Sequence, residues 1–83
     1  MLVQDEVDTR QAVLVEIRLS MLNELDGLLS PDARALDEIV SNTEDISALW
    51  NLRSELTNLI TAEHGAEAAR TRVNLITEMF GKY

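Results

Sequence analysis

Eighty-three residues with a net charge of −8 and no cysteine make one domain and exclude a disulfide scaffold. Seven scattered lysines and arginines cannot assemble the cationic footprint that nucleic acid requires, and one histidine without thiolates leaves a metal short of ligands. A chain this short buries only about 60–70% of the surface its unfolded form exposes, so a partner subunit or very regular helix packing is expected to complete its core.

The charge is uneven. Residues 1–45 hold eleven acids against three arginines, whereas residues 46–83 are neutral. Asp5, Glu6 and Asp8 stand where a signal or transit peptide would be basic, and the longest unbroken apolar run, Ala12 to Val15, is far below a membrane span. A soluble, cytoplasmic protein is expected. Ala, Leu, Glu and Arg dominate, with Gly27, Pro31, Gly65 and Gly81 as the main punctuation, which places the chain in the all-α class.

A first helix is predicted from Asp5 to Leu29. Val7, Leu14, Met21 and Leu28 recur every seven residues, and Val15, Leu22 and Leu29 follow one place on, with Arg18 and Leu25 on the meridian between the rows. An apolar side this broad predicts at least two neighbours. Ser30-Pro31 then supplies an N-cap and a first-turn proline for a short second helix, Pro31 to Val40, with Ala35, Leu36, Ile39 and Val40 inward. Ser41-Asn42-Thr43 is the break.

Thr43 opens a third helix, Glu44 to Glu63, with Glu44 and Asp45 at the positive end of its dipole. Ile46, Leu49, Leu52, Leu56, Leu59 and Ile60 form its inner face. Gly65 stops or bends it, and a fourth helix, Ala66 to Phe80, presents Ala68, Ala69, Val73, Leu75, Ile76, Met79 and Phe80 around Arg72. The expected fold is a bundle of four helices, the first longest and the second shortest, assembled as a homodimer.

Enzymatic constellations are missing from the sequence. There is no nucleophile–base pair, no Gly-rich phosphate loop and no calcium-loop spacing. His64, beside a predicted helix end, reads as a capping or surface residue. In length and in its long first helix the chain is similar to helical chorismate-mutase domains, a likeness that implies an anionic substrate held on buried arginines together with an internal lysine, and the one lysine here is Lys82. Asp37-Glu38 and Glu44-Asp45 flank a loop and suit capping and solubility rather than a divalent cation. No catalytic residue, cofactor or metal is expected.

Arg18 and Arg72 each interrupt an apolar face, and a guanidinium cannot be buried without a partner. Three fates are open to them: snorkelling to the bundle edge, pairing inside the chain with an acid such as Asp37, Glu38 or Glu55, or pairing across a subunit boundary. The third makes Arg18, Leu25 and Arg72 a self-association seam.

The outer face of the third helix points to a different partner. Ser47, Asn51, Ser54, Thr57, Asn58 and Thr61 are polar yet uncharged, with Trp50 at their margin, as the cores of interfaces tend to be. Trp50, Asn51, Ser54 and Asn58 are therefore the expected partner-binding residues of a non-enzymatic interaction module, such as an adaptor, chaperone-like factor or regulator. The alternative carrier is the acidic surface of Asp5, Glu6, Asp8, Asp32, Asp37, Glu38, Glu44 and Asp45, suited to a basic surface on another protein. In size and charge the chain resembles small phage and plasmid proteins of the anti-defence or antitoxin kind, which implies an inhibitor that blocks a nucleic-acid-binding site.

Overall fold

Serine, aspartate and glycine set the helix boundaries. The computed structural model describes the backbone of residues 2–83 and the side chains of residues 9–83. The chain forms α1 (Leu2–Asp26), α2 (Pro31–Ser41), α3 (Ile46–His64) and α4 (Ala66–Phe80), with no strand among the described residues. This is the expected all-α order, with the first helix longest and the second shortest. The side chains of Asp5, Glu6, Val7 and Asp8 lie outside the described residues.

Ser30 caps α2, its Oγ accepting from Ala33 N at 3.2 Å, with Pro31 in the first turn. The end of α2 has no basic residue. Instead Asn42 Nδ2 donates to Glu38 O (2.9 Å) and Thr43 Oγ1 to Ile39 O (2.6 Å), satisfying carbonyls the helix leaves open. Asp45, rather than Thr43, starts α3, its carboxylate accepting from Ser47 N. Gly65 separates α3 from α4 at φ 92°, ψ 161°, a region that residues with a Cβ scarcely enter.

α1 packs against all three other helices, α3 and α4 form the most extensive pair, and α2 touches α1 and α3 but not α4. The core draws on Leu14, Ile17, Met21 and Leu25 of α1, Leu28 of the following turn, and Ala33, Leu36 and Val40 of α2. Leu49, Leu56 and Ile60 come from α3, and Ala69, Val73 and Ile76 from α4. No polar or charged side chain is buried among the described residues.

The α1 face departs from expectation. The helix ends at Asp26, so Leu28 and Leu29 belong to the turn; Leu28 folds back into the core while Leu29 is 89% exposed. Ile17, absent from the expected stripe, is fully buried. With the buried positions centred on Leu14, Ile17, Met21 and Leu25, Arg18 lies roughly 60° off the centre rather than within it. In α2 the inward positions are Ala33, Leu36 and Val40, so Ala35 and Ile39 face outward. Leu75, expected on the inner face of α4, is exposed as well. The inner faces of α1, α2 and α4 are thus turned by less than one helical step from the expected ones, whereas that of α3 is as expected.

Candidate functional site

The geometry of α3 and α4 gathers the chain's most distinctive side chains. The two helices run antiparallel, pairing Trp50 with Phe80 and Arg53 with Thr77. The Trp50 and Phe80 rings meet edge to face, with centroids 5.1 Å apart and planes at 81°. Arg53 lies one turn along α3 from Trp50, and its Cζ sits 3.4 Å from the indole centroid. Its Nε donates to Trp50 O at 3.0 Å and its Nη1 to Thr77 Oγ1 at 2.9 Å. Thr77 in turn donates to Val73 O, and Thr57 Oγ1 to Arg53 O. The guanidinium thus clamps the indole while tying α3 to α4.

Beside this clamp is an open groove of about 670 Å³, lined by Ile46, Ser47, Trp50, Asn51, Thr77, Phe80 and Gly81. Trp50 remains 43% exposed, so an aromatic ring held on several sides still faces solvent. A side chain already fixed in place loses little rotamer freedom when a partner covers it. Chemically the groove offers aromatic and aliphatic surface with the Ser47 hydroxyl and the Asn51 amide at its edge. None of its lining side chains is ionisable.

Of the four expected partner-binding residues, Trp50 and Asn51 line the groove. Ser54 is exposed one turn further along α3. Asn58 contributes to a different, smaller hollow of about 280 Å³ between α2 and α3, with Asp32, Ala35, Ile39 and Glu55. Phe80, Thr77 and Arg53 lie outside the expected set of site residues. The Trp50-to-Arg53 spacing of one turn was the available signal, whereas the Thr77 link needed the helix pairing.

Arg18, Leu25 and Arg72 all find partners within the chain. Arg18 Nη1 donates to Thr43 O (3.1 Å) in the α2–α3 loop, and Leu25 is 3% exposed in the core. Arg72 Nη1 lies 3.6 Å from Glu24 Oε1, both side chains partly exposed. The acid is Glu24 rather than Asp37 or Glu38 because α4 packs beside α1 and does not touch α2. Satisfying these guanidinium groups therefore requires no second copy. Asp32, Glu38, Glu44 and Asp45 are exposed, and Asp37 is half-buried near Arg34 in a shallow hollow below the α1–α2 turn. No three His, Asp or Glu side chains cluster as metal ligands among the described residues. Nor is any described helix long and apolar enough to cross a membrane. Comparison with protein-family models, curated proteins and solved structures returned no match.

Proposed function

We propose that this chain is a non-enzymatic protein–protein interaction module, an adaptor, chaperone-like factor or regulator, that binds its partner through the Trp50 groove. One observation carries the reading: a half-exposed tryptophan is clamped by Arg53 and Phe80 at the wall of an open groove. Anchors of this kind, rigid and aromatic with an uncharged polar surround, dominate the energetics of interfaces. A homodimer keeps a narrower basis within the proposal. Its seam would run over Ala12, Val15 and Leu19, with Ala12 and Leu19 one heptad apart and Leu19 57% exposed, rather than over Arg18, Leu25 and Arg72.

The inhibitor reading draws on Asp32, Glu38 and Glu44, which are exposed and make no ion pair among the described residues. A photoreactive residue placed in turn at Asn51, Glu38 and Asn23, with crosslinking in the source cells, separates the two. The groove reading expects one protein captured from Asn51 and not from the control position Asn23. Capture from Glu38 alone would favour the acidic surface, and equal capture from all three would remove both.

A further inference from the structure

We infer that the occupant of the Trp50 groove is a basic amphipathic segment of the partner, an apolar side chain seated on Trp50 and Phe80 with lysine or arginine directed toward Glu44 and Asp45; this deepens the protein-binding reading and rests on it. The antiparallel pairing sets the groove's polarity. Ile46 and Ser47 lie at the end where Phe80 and Gly81 close the other wall. Glu44 and Asp45 immediately precede them, both exposed and without an ion pair among the described residues.

The C-terminus of α4 opens at this same end, and its last turn holds no basic residue. The Glu78, Met79 and Phe80 carbonyls accept backbone bonds from Gly81, Lys82 and Tyr83, and none accepts from a cationic side chain, so no charge is bonded to the negative end of the helix dipole beside Phe80 and Gly81. The opposing positive end, that of α3, is already covered by Asp45 on Ser47 N. Of the nearby cations, Arg18 donates to Thr43 O beside Glu44 but forms no ion pair with Glu44 or Asp45, and Arg53 is committed to the indole face, Trp50 O and Thr77. Lys82 makes no ion pair among the described residues and is a single charge against two carboxylates and the α4 terminus. Arg70, exposed, lies about three turns back along α4 from Phe80 and Gly81. An acidic or neutral segment would bring nothing to balance the Glu44 end, whereas a basic one complements it and is steered there by the charge of the whole chain.

The test is a selection of short random peptides displayed on phage against the intact chain, with Trp50→Ala as the counter-target. Trp50 is the single tryptophan, so titration with tryptophan-free selected peptides reads the groove through its emission. The expected result is enrichment of peptides with net positive charge around an aliphatic or aromatic anchor. Their affinity should fall about ten-fold for the double variant Glu44→Gln/Asp45→Asn, in which asparagine preserves the cap, and should weaken as salt rises. Trp50-dependent peptides that are neutral or acidic, or that ignore the double variant, would overturn the charge assignment and leave the docking reading in place. Failure to enrich any peptide that distinguishes the wild-type chain from Trp50→Ala would overturn both. Circular dichroism confirms that each variant remains helical before its binding is compared.

Discussion

Replacing Glu63 with alanine should loosen the joint between the end of α3 and the start of α2. Its carboxylate accepts from Leu29 N at 3.0 and 2.9 Å and from Ser30 N at 3.2 Å, so two backbone donors of the α1–α2 turn depend on it. The site is exposed, and water replaces much of what is lost. Each charge-assisted bond is therefore worth about 0.5 kcal/mol here rather than the roughly 1.5–3 kcal/mol of a sheltered one. The anion also sits at the positive end of α2, which adds about 0.3–0.5 kcal/mol at an exposed terminus. Together these give a loss of about 1.5 kcal/mol for Glu63→Ala, a fall in Tm of about 6–10 °C for a domain of this size. Glu63→Gln keeps one acceptor oxygen without the charge and should lose about half as much. Urea unfolding followed by helical circular dichroism and by Trp50 emission measures both. An alanine variant within about 0.3 kcal/mol of wild type would mean that the carboxylate does not hold this turn.

Three further outcomes follow from the packing. Ile17→Val should cost about 1 kcal/mol because the side chain is fully buried, while Leu29→Ala, at 89% exposure, should stay within about 0.5 kcal/mol; the reverse order in chemical denaturation would restore the face centred on Arg18. Gly65→Ala should lose about 2 kcal/mol through backbone strain alone, since a Cβ there meets no atom within 4 Å. A thermal melt unchanged by that substitution would show that the α3–α4 joint accepts another conformation. A double-mutant cycle on Arg72→Ala and Glu24→Ala should give a coupling below about 1 kcal/mol that shrinks with salt, as befits a partly exposed pair 3.6 Å apart. Coupling of several kcal/mol would instead indicate a sheltered ion pair.

Helix number and order were legible because local chemistry sets them: Ser30-Pro31 opens α2, and Gly65 separates α3 from α4. The inner face of α3 was legible too, since its apolar residues recur at one helical spacing. Rotation of the other faces was not. In α1, apolar residues surround most of the circumference, and Leu14, Val15, Ile17, Leu19 and Leu22 carry similar hydrophobicity with different fates. Which of them is buried depends on where α2 and α4 lie, and no local pattern states that. Arg18 and Arg72 looked central for this reason, yet each sits at a boundary where a carbonyl or a carboxylate can reach it. The candidate site divided in the same way. Trp50 and Asn51 stood out on an uncharged helix face, whereas Phe80 and Thr77 joined them only through the antiparallel pairing of α3 and α4. Glu63 was invisible as a cap because its partners lie more than thirty residues earlier in the chain.

The groove reading stands most directly on the retention of source-cell proteins by the immobilised chain, compared among wild type, Trp50→Ala and the surface control Leu29→Ala. Loss of an anchoring tryptophan costs about 2 kcal/mol or more at an interface. A protein held by wild type and by Leu29→Ala should therefore bind about 30-fold more weakly to Trp50→Ala. The same proteins retained at the same yield by all three chains would contradict the account.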